Sequence, residues 1–307
     1  GVLRAGDLVP TADPGAADVI VLNTCTVTGR ADAEGRRLAR MYRRLAPAAR
    51  IVATGCYAER DPEALRRTGA FDNVVGLSER DRLPEALLGP DACVSAPVGL
   101  FFADRARAYL RVQEGCDLSC SYCVIPAVRG PGRSVSEADV LAEARALAAS
   151  GVREIGLTGV NTGSWGDDLE PRRELADLLE ALLPTVPGVR VRLNSLEPRT
   201  VTPRLLDLLA ADPRRIAPHL QVPLQSGSDR ILAAMARNYR TAFYRTLIER
   251  AAARVPDVCL GADVITGFPG ETDGDHRATR VFLESLPLAY LHVFSYSPRP
   301  GTRAARR

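Results

Sequence analysis

The 307-residue sequence lacks long apolar stretches, a strong charge imbalance and a disulfide-type cysteine pattern. No apolar run approaches the ~18 residues of a membrane-spanning helix, and no signal peptide is visible, so we expect a cytoplasmic protein without a membrane anchor. Forty basic and thirty-seven acidic side chains give a net charge of +3, too small to indicate nucleic-acid binding by itself. The seven cysteines are odd in number, and in a reducing compartment clustered cysteines hold metal more often than they pair.

Histidine is scarce, and this bears on the motif Cys116-Asp-Leu-Ser-Cys120-Ser-Tyr-Cys123, in which three cysteines fall within eight residues. Thiolates select zinc, copper(I) or iron–sulfur clusters. Structural zinc takes four ligands, and the first histidine of the chain is His219, far from this loop. We therefore favour a four-iron cluster, on which three thiolates would leave one iron open to another ligand. The alternatives are a zinc site completed by Cys93, and unrelated buried cysteines.

The first hundred residues contain a β-α-β pattern. Short β-branched runs at 18–22 and 50–53 predict buried parallel strands, the residues 31–45 between them predict a helix, and 73–76 resembles a third strand. Cys25 and Cys56 follow the first two strands. Because parallel strands end on one edge of a sheet, we expect these thiols near each other, as in a second metal site. Small apolar filler is the alternative.

The predicted helix also carries a basic face, which is either solvated or contacts phosphate groups. Its residues are Arg36, Arg37, Arg40, Arg43 and Arg44.

From residue 104 onwards, strand-like and helix-like segments alternate, which predicts a partial (β/α)6 barrel. The strand-like segments are 109–112, 154–158, 189–193, 219–222, 260–265 and 290–295. The expected fold is therefore α/β, with an N-terminal open parallel α/β domain at 1–95 and the barrel at 104–307. Helix caps are predicted at Ser136, Thr202, Thr241 and Thr272.

The ends of these strands carry the motifs QEGC-DLSC-SYC, TGVN, SLEP, PLQSGSD, GFPGET and SYSPRPGT, and the first half contains NTCTVTGRADAEGRR and VATGCYAERDPE. Together they resemble the methylthiotransferase branch of the radical S-adenosylmethionine (radical SAM) enzymes over nearly the whole chain. QSGSD is more similar to the tRNA-modifying members than to the member that modifies a ribosomal protein. SLEP is more similar to the subgroup that acts on threonylcarbamoyladenosine than to the one that acts on isopentenyladenosine.

This resemblance implies that Cys116, Cys120 and Cys123 ligate a 4Fe–4S cluster that binds S-adenosylmethionine. It also implies that Cys25 and Cys56 ligate an auxiliary 4Fe–4S cluster, whose third cysteine has no match in the first 17 residues. The cofactor pocket implied by the resemblance comprises Tyr122, Gly159, Asn161, Ser195, Glu197 and Gln225. For Glu197 and Gln225, helix capping or hydrogen bonding at the barrel end is the alternative.

The function implied is methylthiolation of C2 of N6-threonylcarbamoyladenosine beside the anticodon, through a 5′-deoxyadenosyl radical. The expected partners are tRNA and a reductant protein such as a flavodoxin or ferredoxin, and we expect a monomer. The family's C-terminal RNA-binding TRAM domain has no counterpart here, so we expect a chain truncated at both ends. Alternatives are methylthiolation of isopentenyladenosine tRNA or of a ribosomal protein, and a non-enzymatic metal-cluster module that binds RNA.

Overall fold

The computed structural model describes residues 9–89 and 106–307, which divide into two compact units. The first unit contains residues 9–89 together with Cys123–Gly130 and Ser297–Ala305. The second contains most of the remainder, including Pro131–Tyr296. Both units are built on parallel sheets, so the predicted α/β fold class is confirmed. The predicted domain boundaries near 95 and 104 lie outside the described residues.

The first unit has a parallel sheet of three strands in the order β1 (Val19–Thr24), β2 (Arg50–Gly55) and β3 (Asn73–Val74). The centre of β2 is fully buried, as its continuous apolar sequence predicts. Around this sheet lie the helices α1 (Gly29–Leu45), α2 (Cys56–Arg60), α3 (Pro62–Arg66), α4 (Leu83–Leu88) and α5 (Ile125–Arg129).

A buried ion cluster anchors the loop after β1. The Asp32 carboxylate pairs with Arg60 at 2.8 Å and with Arg299, and it also accepts a hydrogen bond from the Thr26 hydroxyl at 2.7 Å. Arg299 donates to the same hydroxyl at 2.9 Å. Arg299 is 3% exposed and Asp32 is 6% exposed, so either charge without its partners would be buried and unpaired, which is strongly destabilising. The cluster therefore holds the segment Ser297–Ala305 in the first unit.

The basic face of α1 is largely occupied by partners within the first unit. The pairs are Arg36 with Tyr57, Arg37 with Glu34, and Arg43 with Asp72. Arg40 and Arg44 are exposed. These two side chains are therefore the ones that could still contact phosphate groups.

In the second unit, six parallel strands form two three-stranded sheets, with the orders β4-β7-β8 and β11-β10-β9. The strands of the unit are β4 (Arg107–Arg111), β5 (Gln113–Glu114), β6 (Arg133–Ser134), β7 (Glu154–Thr158), β8 (Arg190–Leu193), β9 (His219–Gln221), β10 (Cys259–Thr266) and β11 (Tyr290–Ser295). A parallel bridge between Val191 and Ile216 joins β8 to the segment that leads into β9. All six strands predicted for the barrel are therefore present.

The helices of the second unit pack on one face of these strands, where alternate strand residues such as Leu110, Leu157, Leu193 and Leu220 are fully buried. The helices are α6 (Glu137–Ala149), α7 (Leu175–Thr185), α8 (Pro203–Ala211), α9 (Asp229–Ala234), α10 (Thr241–Arg254) and α11 (Asp273–Glu284). In the described ranges, no helix combines the length and apolar character that crossing a membrane requires.

Three of the four predicted helix caps are present: Ser136, Thr202 and Thr272 each accept a hydrogen bond from the first turn. The prediction for Thr241 was wrong, because Thr241 is the first helical residue and Arg240 precedes it as the cap. The Thr241 N–H instead donates to the Asp229 carboxylate at 2.7 Å. A side chain twelve residues away thus replaces the expected local cap.

We predict that Asp275→Asn destabilises the protein by about 2 kcal/mol at neutral pH, since this carboxylate accepts several hydrogen bonds at the start of α11. Its partners are Arg230, the Ser228 hydroxyl at 2.7 Å and the Thr272 hydroxyl at 2.6 Å. The hydrogen bond from Arg230, followed by those from Thr272 and Ser228, holds the pKa of Asp275 well below its usual range.

A depressed pKa contributes stability above the unfolded-state pKa of about 3.9, and this contribution is lost as the pH falls through the folded-state value. The difference between wild type and variant in urea unfolding should therefore shrink below about pH 4. Asp273→Asn, at an exposed position in the same helical turn, is the control. An equal loss of stability in both variants would contradict the assignment.

Candidate metal and cofactor site

The loop between β5 and α5 carries the three clustered cysteines, and backbone amides donate to two of their sulfurs. The Leu118 N–H donates to Cys116 Sγ at 3.4 Å, and the Ile125 N–H donates to Cys123 Sγ at 3.4 Å. In both cases the donor lies two residues after the cysteine. Hydrogen bonds to sulfur of this kind orient and tune thiolate ligands in iron–sulfur proteins.

Cys120 is held by a buried arginine. Arg237 Nη1 donates to Cys120 Sγ at 3.1 Å, Nη2 pairs with the Glu197 carboxylate, and Nε donates to the Tyr239 hydroxyl at 3.1 Å. The Arg237 side chain is 2% exposed and that of Glu197 is 19% exposed. A single buried cation therefore joins a predicted cluster ligand to a predicted cofactor-pocket residue. Arg237 was not predicted from the sequence, because its contacts lie 117 and 40 residues away.

Glu197 has both a structural and an electrostatic role. It caps the short 3-10 helix Pro198–Thr200, and its N–H donates to the Thr200 hydroxyl at 3.2 Å. Burial raises the pKa of Glu197 above its ordinary value, and the charge of Arg237 and its hydrogen bond act in the opposite direction. Glu197 thus occupies a helix-capping position, as the alternative to a pocket role predicted, and its carboxylate also pairs with Arg237.

The Gln113 side chain connects the start of the cysteine loop to the TGVN segment. Its Oε1 accepts from the N–H groups of Val160 at 3.0 Å and Asn161 at 2.9 Å, and its Nε2 donates to the Gly115 carbonyl at 2.9 Å. A Cβ atom at Gly159 would lie 2.9 Å from both Gln113 O and Oε1, so the close approach requires glycine. Gly159 and Asn161 were predicted as pocket residues. Gln113 opens the QEGC motif, but the sequence assigned it no role, because its partners in the TGVN segment lie 47 and 48 residues away.

Two further pocket predictions fall on strained backbone. Ser195 has φ +56° and Gln225 has φ +70°, both in the left-handed region that few side chains adopt. Ser195 is exposed, and its carbonyl accepts from the Thr162 N–H at 2.9 Å. The Gln225 N–H donates to the Asp263 carbonyl at 2.8 Å, which extends the pairing beyond β9. Positions of this kind occur often at functional sites.

Two side chains of the predicted pocket fit a role in ligand binding. Asn161 is 7% exposed, and its Oδ1 is buried without a hydrogen-bond partner among the described residues. Such an unsatisfied atom is expected where a bound ligand supplies the partner. Tyr122 packs edge-to-face against Phe268 with ring centroids 6.5 Å apart, and burial raises the pKa of its phenol well above the ordinary value. Tyr122 therefore offers an aromatic surface that stays neutral.

In the first unit, Thr24 pairs with Gly55, so Cys25 and Cys56 directly follow paired ends of neighbouring strands. Cys25 is exposed, and Cys56 is 5% exposed and begins α2. Arg129 Nε donates to Cys56 Sγ at 3.1 Å. The alternative prediction for the cysteine loop was a zinc site completed by Cys93. Cys93 lies outside the described residues.

The donor set of the clustered loop fits an iron–sulfur cluster in its chemistry, since all three side chains are thiols and two sulfurs accept amide hydrogen bonds. In the described part of the chain, no three cysteine, histidine or carboxylate side chains converge as a single metal ion would require. The assignment of cluster ligands remains a prediction.

A cavity of about 610 Å³ in the first unit lies away from all these residues. Its lining includes Arg50 and Asn73, at the amino ends of β2 and β3, and it contains none of the cysteines or cofactor-pocket residues predicted from the sequence, so we assign it no chemistry.

Comparison with known protein families gives two matches that together cover much of the chain. Residues 110–283 match the Radical SAM superfamily. Residues 1–76 match the family described as Uncharacterized protein family UPF0004.

Two groups of curated relatives are similarly close. Threonylcarbamoyladenosine tRNA methylthiotransferase MtaB of Bacillus subtilis is 36% identical over 306 residues, covering 94% of this chain and 67% of that protein. The tRNA-2-methylthio-N(6)-dimethylallyladenosine synthase of Chloroflexus aurantiacus is 38% identical over 314 residues, covering 97% of this chain and 66% of that protein. The chain therefore spans about two thirds of the length of these relatives.

Among solved structures, the radical S-adenosylmethionine methyltransferase TsrM from Kitasatospora setae, determined with cobalamin and a [4Fe-4S] cluster bound, superposes with a TM-score of 0.68. The sequence identity is 18%, over 94% of this chain and 65% of that one. At this identity the likeness concerns the fold.

We predict that Cys116→Ala, Cys120→Ala and Cys123→Ala each lose about four irons per chain after anaerobic reconstitution with iron and sulfide, since each leaves an incomplete ligand set. Iron analysis and the visible absorption of the cluster measure this loss. Cys259→Ala, in β10 and outside the loop, should load like the wild type. A Cys120→Ala protein with undiminished iron would refute the ligand assignment.

We further predict that Arg237→Gln destabilises the protein by about 3 kcal/mol, because removing one partner leaves the buried Glu197 carboxylate unpaired. Urea unfolding of the apoprotein measures the effect without any bound cluster. The double variant Arg237→Gln/Glu197→Gln should recover part of the loss, since neither buried charge then remains. If the two substitutions instead have additive costs, the ion pair is not what stabilises this region.

Proposed function

The chain belongs to the tRNA methylthiotransferase family of the radical SAM superfamily, and from this premise we propose that it adds a methylthio group to C2 of N6-threonylcarbamoyladenosine in tRNA. The contact that carries the proposal is the bridge of Arg237 between Cys120 and Glu197. It connects the cysteine loop to the predicted cofactor pocket through one buried side chain. A purely structural metal site would not need such a connection.

In the proposed reaction, Cys116, Cys120 and Cys123 hold the cluster, and Asn161, Ser195 and Glu197 contribute to the pocket for S-adenosylmethionine. When bound, the cluster supplies the electron for reductive cleavage of S-adenosylmethionine. The chain itself orients these groups: Gln113 fixes the loop at Gly159 and Asn161, and Arg237 fixes Cys120.

Sulfur delivery is proposed for the first unit, where Cys25 and Cys56 would ligate the auxiliary cluster. The two thiols follow paired strand ends, and Arg129 donates to the sulfur of Cys56. A hydrogen-bond donor at this sulfur is the kind of contact that orients a metal-binding cysteine. A reductant protein such as a flavodoxin or ferredoxin is the proposed source of the electron.

Threonylcarbamoyladenosine is the proposed substrate because SLEP resembles the subgroup that modifies this nucleoside, and relatives named for it align over 94% of the chain. Relatives named for dimethylallyladenosine align equally well, so that nucleoside is the competing substrate. Mass analysis of tRNA nucleosides from cells with and without the intact gene separates them. Loss of the methylthio derivative of threonylcarbamoyladenosine is expected, whereas loss of only the dimethylallyl derivative would contradict the proposed substrate.

We predict that the Cys25→Ala and Cys56→Ala variants still form 5′-deoxyadenosine but yield no methylthiolated tRNA, because the radical cluster would retain all of its ligands. Cys120→Ala is the matched comparison, and it should lose both products. Chromatography of the cleaved cofactor and of the digested tRNA measures the two outcomes separately. Methylthiolated tRNA from Cys25→Ala would show that this thiol is not required for sulfur delivery.

A further inference from the structure

The strands of the second unit carry polar side chains on the face opposite their apolar core. Strand side chains alternate between the two faces, so the neighbours of the buried leucines point away from the helices. We call this surface the polar face, and its central residues are Glu154, Arg192, His219, Gln221, Asp263 and Tyr290. A core-filling role would favour branched apolar residues here instead.

One end of the polar face has an excess of positive charge. The Glu154 carboxylate is 2.8 Å from Arg192 Nε and 2.6 Å from Arg107 Nε. Two guanidinium groups therefore share one carboxylate. Each guanidinium has five N–H donors in a fixed fork, so Arg192 retains donors for a further anion. The Arg192 side chain is 22% exposed, which leaves it accessible to a ligand.

The middle of the polar face is a stacked pair of rings. His219 Nε2 lies 2.7 Å from the Tyr290 hydroxyl, and the two rings are 5.9 Å apart and inclined by 10°. A Cβ atom at Gly261 would lie 2.1 Å from Tyr290 Cζ, so glycine is needed to admit the ring. His219 Nδ1 is buried and has no hydrogen-bond partner within 9–89 and 106–307. Burial, followed by the charge of Arg192, lowers the pKa of His219, so the ring is neutral at pH 7.

The other end of the polar face accepts hydrogen bonds. Asp263 Oδ1 accepts from Gln221 Nε2 at 2.7 Å and lies 3.2 Å from His292 Nδ1. Asp263 is one inward-facing position before Ile265, whose N–H donates to the Gln225 carbonyl at 2.9 Å. At about 3.3 Å per residue, Asp263 lies ~7 Å before Ile265 along β10. One bound nucleoside is long enough to contact both levels.

We propose that the polar face binds the N6 substituent of the target adenosine, with Arg192 contacting a carboxylate and Asp263 accepting from an N–H or O–H group. The inference rests on the proposed function and adds the residues that select the substrate. A threonylcarbamoyl group provides an acid, a hydroxyl and ureido N–H groups. A dimethylallyl group provides none of these. Its binding would displace water from Arg192, His219 and Asp263 without supplying new hydrogen-bond partners for them.

The test is equilibrium binding of anticodon stem-loop RNAs that differ only in the N6 substituent. The probes carry threonylcarbamoyladenosine, its methyl ester, or unmodified adenosine at the same position. The wild-type protein should bind the acid at least about tenfold more tightly than the ester, since a hydrogen-bonded ion pair is lost in the ester. Arg192→Met should bring the acid-to-ester ratio close to one, because the affinity for the acid falls and that for the ester does not depend on this ion pair.

Arg204→Met is the matched control, because Arg204 lies on α8 and pairs with Asp177 and Glu180 at the surface. It should retain the wild-type ratio. Arg107 still pairs with Glu154 in Arg192→Met, which limits the effect on folding, and urea unfolding checks this. Arg192→Lys is the second variant, and it should keep an intermediate preference for the acid because it retains charge but not the fork.

The two proposals fail in different ways. If the intact gene does not affect methylthiolated threonylcarbamoyladenosine, the proposed substrate is wrong whatever the binding data show. If the gene does affect it and folded Arg192→Met keeps the wild-type acid-to-ester ratio, the assignment of the polar face is wrong while the function stands. A wild-type protein that binds acid and ester equally would also overturn the inference.

Discussion

The arrangement of the candidate site depends on how the Arg237 charge is buried. A guanidinium removed from water needs a full set of partners, and here these are the Cys120 sulfur, the Glu197 carboxylate and the Tyr239 hydroxyl. The Tyr239 hydroxyl also lies 2.9 Å from the carbonyls of Pro223 and Leu224. Loop, pocket and strand ends therefore share one hydrogen-bonded network.

The first unit uses a similar device around Asp32. Two arginines, Arg60 and Arg299, pair with this carboxylate, and Thr26 completes the hydrogen bonding. Thr26 directly follows Cys25, so the cluster restrains the loop that carries an exposed thiol. In both units a buried ion pair holds a cysteine-bearing loop, and an unpaired charge there would be costly. The same side chains thus serve stability and the proposed chemistry.

The two faces of the six-stranded array divide stability from recognition. Its apolar face packs against the helices through residues such as Leu157 and Leu193, which are fully buried. The polar face is stabilised by ion pairs and hydrogen bonds, which leave donors and acceptors available to a ligand. Hydrogen-bonding sites discriminate more strongly than apolar pockets, because a ligand without matching groups leaves polar atoms unsatisfied. A polar face would suit the proposed selection between nucleosides that differ only at N6.

The sequence alone determined the strands, most helix starts and the positions of the cysteines. These features are local: β-branched runs predict β2, Ser136 and Thr202 cap their helices, and three thiols within eight residues need no tertiary information. The placement of Cys25 and Cys56 at neighbouring strand ends also followed, since parallel strands end on one edge.

Only the tertiary structure decided which distant side chains meet. Arg237 and Cys120 are 117 residues apart, Asp32 and Arg299 are 267 apart, and the hydroxyl cap predicted at Thr241 gave way to a carboxylate from Asp229. Periodicity and capping report on neighbours along the chain. The partner of a buried charge is instead set by the packing of whole elements, which local sequence patterns do not encode.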